Sequence, residues 1–286
     1  MRIARFAVGD EVGYGVVVDD ATVGANGTAA AQPAGAAQPS DGGGGTGLSV
    51  SEIAGHPFAP GTDGPKLTGA RYPIEDVRLL APVLPSKIVA IGRNYAEHAR
   101  ELGNEIPAEP LIFLKPSTAV VGPGDAIVRP VELSKKVDFE GELAIVFGRL
   151  CRDVPPARVP EVIFGYTCAN DVTARDLQAK DGQWTRAKSF DTFCPLGPWI
   201  ETGLDPADVQ LTTTVNGQVK QDSRTSLLIH HIPALVSYVT AVMTMLPGDV
   251  LLTGTPAGVG PLVAGDSVSV YVEGLGTLTN RVVDAS

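Results

Sequence analysis

Three cysteines in 286 residues are too few, and wrongly spaced, for a disulfide scaffold or a thiolate metal site. Cys151, Cys168 and Cys194 are odd in number, so free thiols in a reducing compartment are the expected state. Basic residues are scarce as well. Against 32 Asp and Glu stand 22 Lys and Arg, for a formal net charge of −10 and a pI near 4.9. That balance argues against nucleic acid and anionic membrane surfaces as partners, and an anionic ligand would need a local cation or basic pocket. No apolar run approaches membrane-spanning length, and the opening Met1-Arg2-Ile3-Ala4-Arg5-Phe6 lacks the apolar core of a signal peptide. A cytoplasmic, soluble protein is expected. Long helical patterns are few, whereas Gly (33) and Pro (23) are abundant, which favours strands and turns. With 44% hydrophobic and 19% charged residues, the chain is globular and long enough for one large domain or a main domain with an appendage.

Residues 1–20 alternate in the manner of strands, with Gly13-Tyr14-Gly15 and Asp19-Asp20 as turns. The stretch from Gly24 to Gly47 is mostly Ala, Gly, Gln and Pro. It cannot bury enough apolar area to offset its ordering entropy and reads as a flexible loop. Ser49 to Ala54 reads as a short helix, with Ser49 as cap and Glu52 completing a capping box. A Pro-punctuated connector leads to Lys87-Ile88-Val89-Ala90-Ile91-Gly92. The division is therefore a small N-terminal extension over 1–80 and a main domain over 81–286. Within the latter, Gly124-Asp125, Gly248-Asp249 and Gly265-Asp266 each precede a β-type run. Helices are expected over Tyr95 to Leu102 and Ile232 to Met245. The fold class is a mixed, β-rich α+β roll or sandwich with short helices.

The chemistry is concentrated in Asp138-Phe139-Glu140-Gly141-Glu142. Read as one strand, Val137, Phe139, Leu143, Ile145 and Phe147 form an apolar face, and Asp138, Glu140 and Glu142 share the other. Two partly buried glutamates on one face repel each other unless something neutralises them, and a hard divalent cation would do so. The alternative is a solvated acidic edge strand. Asp171 ends the buried run from Val162 and could be a helix cap beside Thr173-Ala174-Arg175-Asp176, a capping box by its sequence. It could equally complete a three-oxygen site with Glu140 and Glu142, a set suited to Mg²⁺ or Mn²⁺ rather than zinc, with Ca²⁺ a third candidate. His98 and Glu101, three apart on a helix, place a carboxylate where it can orient an imidazole as general base, unless the helix is simply a charged surface. Lys188 is by default an exposed lysine. Thr253-Gly254-Thr255-Pro256-Ala257-Gly258-Val259-Gly260 lacks the Gly-Lys-Ser/Thr ending of a nucleotide loop; it either presents hydroxyls and N–H groups to a carboxylate or is only a turn. His230-His231 suggests metal ligation, but adjacent side chains diverge, so one should pack and one be exposed.

In chain order these signals are more specific than they are singly. The succession is Gly92-Arg93-Asn94-Tyr95-xx-His98-xx-Glu101, Phe113-Leu114-Lys115-Pro116-Ser117, Asp138-x-Glu140-x-Glu142-Leu143, Asn170-Asp171-x-Thr173-Ala174-Arg175-Asp176, Lys188-Ser189-Phe190-Asp191 and Thr253-Gly254-Thr255-Pro256-x-Gly258-Val259-Gly260. Over about residues 80 to 283 it strongly resembles the fumarylacetoacetate hydrolase family, which includes acylpyruvate hydrolases, oxaloacetate decarboxylases and isomerases of homoprotocatechuate breakdown. The resemblance implies a β-roll, a homodimer and Mg²⁺ or Mn²⁺ at Glu140, Glu142 and Asp171. It implies that His98 and Glu101 activate water on a lid segment, and that Lys188 stabilises a developing enolate. Arg93, Tyr95, Arg175, Gln178 and Thr255 would contact the substrate. The leading expectation is hydrolytic C–C cleavage of an acylpyruvate-type 2,4-dioxo acid, with a place in aromatic catabolism. Diene-dioate isomerisation or oxaloacetate decarboxylation at the same site is the alternative, and a non-catalytic β-domain with a structural cation is a third reading.

Overall fold

The computed structural model describes residues 1–20, 47–59 and 64–286. The flexible loop expected from Gly24 falls outside the described residues, apart from its last residue, Gly47. Strands dominate, and the α-helices are short: Ala96–Glu101, Arg175–Asp181, Thr185–Lys188 and Ile232–Val242. A large open sheet runs from edge to edge through Leu67–Pro73, Leu48–Ile53, Glu11–Asp19, Arg2–Val8, Cys194–Glu201, Ile163–Asn170, Gly141–Phe147, Val250–Leu252, Ile88–Gly92 and Leu111–Lys115. A five-stranded sheet orders Gln218–Arg224, Gln210–Val215, Ser267–Val272, Gly276–Asp284 and Ala126–Arg129. A small third sheet joins Thr173–Ala174, Val137–Phe139 and Gly260–Pro261.

Gly141–Phe147 is central and buried along its whole length. Leu143, Ile145 and Phe147 pack with Leu235, Val236 and Val239 of the Ile232–Val242 helix and with Leu211, Val270 and Val272 of the five-stranded sheet. Ala144 and Val146 face the opposite way, onto Ile88, Val250, Leu252 and Leu196. A strand apolar on both faces is what a sandwiched position demands.

The single acidic strand expected from Val137 onwards is two strands. Val137–Phe139 pairs in the small sheet and packs Val137 and Phe139 with Val172, Leu177 and Phe193, while Gly141–Phe147 enters the large sheet. The chain changes sheets at Glu140, and Gly141 permits the corner: a Cβ there would lie 2.0 Å from Thr213 Oγ1.

Four local expectations are corrected. Ser49 to Ala54 is strand, Leu48–Ile53, because Val50 and Ile53 are needed in the core and neighbouring strands lie on both sides. Gly13-Tyr14-Gly15 lies inside Glu11–Asp19, and the turn falls at Gly9-Asp10, where Gly9 has φ +58°. Gly15 lies where a Cβ would come 2.3 Å from Val50 Cγ1, so the glycine serves close strand packing. Thr173 does not cap the Arg175–Asp181 helix; its hydroxyl donates to Asp171 O at 2.8 Å. The Ile232 helix stops at Val242, short of Met245, whose backbone bridges to Cys151.

Candidate metal and catalytic centre

Glu140 sits where the chain leaves one sheet for another. Its N–H donates to Asn170 Oδ1 at 2.9 Å, and its carbonyl accepts the Asp171 N–H at 2.8 Å. The residues that end two neighbouring strands are thereby locked side by side. Glu142 follows on the central strand, and the Gly254 N–H donates to its Oε2 at 2.6 Å. One oxygen from each of Glu140, Glu142 and Asp171 lies within 4.8 Å of the others, and all three residues are buried.

Cations surround this cluster unevenly. Lys188 Nζ donates to Glu140 Oε2 at 2.8 Å and to Asp171 Oδ2 at 2.6 Å. Lys115 Nζ donates to Asp171 Oδ1 at 2.6 Å. Arg175 donates through Nη2 to Glu140 and through Nε to Asp138 Oδ2 at 2.9 Å. Among the described residues no ammonium or guanidinium bonds to Glu142. Burial opposes charge on Glu140, yet Arg175 and Lys188 outweigh it and hold that carboxyl far below its ordinary range. Burial, then the Asp171 and Glu140 charges, push Glu142 well above it, and the Gly254 N–H offsets this only in part. Burial likewise works against the Lys188 charge, but Asp171 and Glu140 raise it overall.

The donor set fits a hard divalent cation. All three ligand atoms are carboxylate oxygens, with no His or Cys among them. Among the described residues Glu142 is a buried carboxyl without a cationic partner, beside two that have one, so a divalent ion there would restore the balance.

His98 is buried, and its Nδ1 lies 3.3 Å from Glu101 Oε2. Glu101 is itself fixed by the Gly258 N–H, at 3.0 and 3.2 Å from its two oxygens. The glycine-rich loop thus supports both halves of the centre: Gly254 holds Glu142 and Gly258 holds Glu101. Its own shape depends on glycine, since Gly258 has φ +100° and a Cβ there would lie 2.0 Å from Lys220 O.

The remaining sequence-read residues divide into engaged and free. Arg175 is committed to Asp138, Glu140 and, through Nη1, to Gln178 Oε1 at 3.0 Å. The Thr255 hydroxyl donates to Gly141 O at 2.8 Å and accepts from Gln221 Nε2 at 2.7 Å, so it braces the corner beside Glu142. Tyr95 is buried, and its hydroxyl has no partner among the described residues; burial and the nearby Glu142 charge push its phenol up. Arg93 has φ +56° and makes no ion pair among the described residues. Of the histidine pair, His230 is half-buried and His231 exposed, as expected from their adjacency.

Sequence reasoning missed three supports. Lys115 is 1% exposed and was noted only within its motif, where a lysine shares an apolar strand's face with Phe113. Gln221 is fully buried and bonds Gly141 N–H at 2.9 Å, Thr255 and Pro256 O, yet lies in an otherwise exposed, polar strand that gave no hint of it. Asn94 was noted only within its motif. Its Nδ2 donates to Thr253 O and His230 O, at 2.8 and 3.0 Å, tying the turn before His98 to the glycine-rich loop. A separate cleft of about 590 Å³, lined by Leu48, Ile74, Trp199 and Arg281 among others, contains none of these residues. The chemistry, rather than void volume, locates the centre.

Fold and centre together define a class: a β-rich enzyme scaffold built around a buried carboxylate cluster with a His–Glu pair tied to it through the glycine-rich loop. Residues 87–283 match the fumarylacetoacetate (FAA) hydrolase C-terminal family, and residues 1–82 match the Rv2993c-like, N-terminal family. The chain belongs to the fumarylacetoacetate hydrolase family. It is 59% identical over 239 residues to Protein Rv2993c of Mycobacterium tuberculosis, covering 82% of this chain and 88% of that one. The crystal structure of a 5-carboxymethyl-2-hydroxymuconate delta-isomerase from Mycobacterium smegmatis superposes with a TM-score of 0.84, at 52% identity and 100% coverage of both chains. A rat mitochondrial protein named oxaloacetate tautomerase Fahd2a is 42% identical over 223 residues, 74% of this chain and 71% of that protein.

Proposed function

We propose that this chain is a divalent-metal-dependent enzyme that moves a proton on a 2-oxo acid, interconverting keto, enol and conjugated-enoate isomers. The observation that carries the proposal is the buried His98–Glu101 pair, joined to the Glu140, Glu142 and Asp171 cluster by one glycine-rich loop that bonds Glu101 through Gly258 and Glu142 through Gly254. Isomerase and tautomerase names among similar proteins favour proton transfer over the hydrolysis expected from the motifs alone.

Glu140, Glu142 and Asp171 would hold the ion. Once bound, Mg²⁺ or Mn²⁺ supplies the Lewis-acid charge that an acidic protein otherwise lacks for a 2-oxo acid. Glu101, fixed by Gly258, keeps the Nδ1 proton of His98 directed at itself, so Nε2 is the ring nitrogen with a free lone pair. Nε2 takes the proton from the carbon beside the ketone and returns it at another position of the conjugated system. Lys188 places a fixed positive charge beside the oxygen on which negative charge grows as that proton leaves. Hydrolysis of a 2,4-dioxo acid is the second reading, favoured by the completeness of the dyad: the same Nε2 would take its proton from water.

Proton NMR in D₂O separates the two. With oxaloacetate, metal-dependent deuterium entry at C3 on an intact chain is expected, abolished by EDTA and lowered at least about a hundredfold by His98→Ala. Release of pyruvate from acetylpyruvate would instead establish the hydrolytic reading. Neither reaction, in protein shown by EPR to carry Mn²⁺, would overturn both.

A further inference from the structure

Gln221 is fully buried in the strand Gln218–Arg224, whose other residues are exposed apart from half-buried Ser223. A buried amide is costly unless it is satisfied, and an apolar side chain would fill the same space without that cost. Here Oε1 accepts the Gly141 N–H at 2.9 Å, and Nε2 donates to Thr255 Oγ1 at 2.7 Å and to Pro256 O at 2.8 Å. The Thr255 hydroxyl in turn donates to Gly141 O at 2.8 Å, which closes a ring of hydrogen bonds through Gln221, Gly141 and Thr255. Thr213, directly opposite Gln221 on the neighbouring strand, stands against the same glycine: a Cβ at Gly141 would lie 2.0 Å from Thr213 Oγ1 and 3.2 Å from Gln221 Oε1. The five-stranded sheet thus meets the corner with a cross-strand pair of side chains.

What Gln221 holds gives the amide its meaning. Gly141 is the single residue between Glu140 and Glu142. Thr255 and Pro256 lie between Gly254, whose N–H donates to Glu142, and Gly258, whose N–H donates to Glu101. Lys220, next to Gln221, presses on the loop as well, since a Cβ at Gly258 would come within 2.0 Å of its carbonyl oxygen. Among the described residues Gln221 bonds neither to a carboxylate nor to His98, so it acts through the backbone and hydroxyl groups it grips. We propose that Gln221 is a positioning residue: through Gly141 and the glycine-rich loop it fixes Glu142 and the His98–Glu101 pair at one spacing. The inference rests on the proton-transfer reading of the same centre, in which base and metal ligands must keep register. A misplacement of about 1 Å in such a centre costs on the order of a hundredfold in rate.

The test uses Gln221→Met, similar in length but unable to make these bonds, and Gln221→Glu, which keeps an acceptor for the Gly141 N–H. EPR gives the Mn²⁺ Kd, ring-nitrogen NMR shifts with Mg²⁺ bound give the His98 tautomer, and deuterium entry into oxaloacetate at saturating metal gives kcat and KM. Gln221→Met should weaken Mn²⁺ binding by about 10- to 100-fold, as loss of a group behind a metal ligand does. Its His98 ring should show both neutral tautomers, because Glu101 no longer holds the Nδ1 proton. Its kcat should fall by about 10- to 100-fold while KM stays within about threefold. Gln221→Glu should recover most of the Mn²⁺ affinity and little of the ring signature, since the bonds from Nε2 are still lost. Should Gln221→Met not fold, the ring of Gln221→Glu decides. A single Nδ1–H tautomer in either folded variant, or wild-type Mn²⁺ affinity in Gln221→Met, would overturn the positioning role. So would a lowered Tm with kcat at saturating metal unchanged, which is what a purely structural amide would give. A wild type that exchanges no deuterium, with the Mn²⁺ and ring effects as expected, would keep the positioning role and sink the proton-transfer reading instead.

Discussion

Glu142 is the residue on which the centre's electrostatics turn. Burial and two neighbouring carboxylates raise it well above its ordinary value of 4.5, so the metal-free native state keeps a proton there that the unfolded chain releases. The native state then binds more protons than the unfolded one, and metal-free stability falls as pH rises through the raised native value. A divalent ion needs the deprotonated carboxyl, so its affinity rises over the same range. Glu142→Gln cannot release that proton. Metal-free Glu142→Gln should therefore match wild type at mildly acid pH and exceed it at alkaline pH by on the order of 1–3 kcal/mol. Thermal melts in EDTA across pH check this, and Mg²⁺ should raise the Tm of wild type alone. A wild-type Tm that climbs with pH in parallel with the variant would show that Glu142 ionises normally in the native state. At this scale Glu140 and Glu142 were legible because their spacing is local, and Asp171 through the order of the motifs. Lys115 and Gln221 were not, since each is buried by what packs over it from distant parts of the chain.

Among the elements, the Gly-Asp turns show how far a short sequence signal reaches. Gly124, Gly248 and Gly265 have φ of +77°, +86° and +96°. The aspartate after each accepts, at 2.8 Å, the backbone N–H three residues upstream, from Gly122, Leu246 and Val263. Glycine supplies the left-handed conformation and aspartate closes the turn, so three strand starts could be read without a fold. The corner at Glu140 and Gly141 obeys no such local rule, since its glycine is required by Thr213 of another sheet. Gly141→Ala should cost about 1–3 kcal/mol by overpacking, and Thr213→Ala should recover part of that loss when combined with it. Urea melts of the four proteins in the cycle measure the coupling. Simple additivity would mean that the corner yields without strain. Leu48–Ile53 shows the converse: its capping-box sequence gave way to strand pairing on both sides.

For the whole molecule, the N-terminal strands extend the large sheet, with Arg2 and Ile3 opposite Glu201 and Ile200. Every carboxylate and cation of the centre nevertheless lies beyond residue 81. A chain of residues 81–286 should keep Mn²⁺ binding within about tenfold of the full chain while aggregating more readily, because the Cys194–Glu201 strand loses its neighbour. EPR titration and light scattering read the two effects separately, and loss of Mn²⁺ binding in soluble truncated protein would show that the extension shapes the centre. The sequence by itself determined the β-rich class, the Glu140 and Glu142 pair, the His–Glu pair and the Gly-Asp turns, because each depends on composition or on residues within a few positions of one another, and it reached Asp171 through the order of the motifs. Only the tertiary structure decided the change of sheet at Glu140, the uneven pairing that leaves Glu142 without a cation, and the reach of Gln221 to Gly141 and the glycine-rich loop. Those depend on which distant strands and helices come to rest against each other, and nothing in the local pattern carries that information.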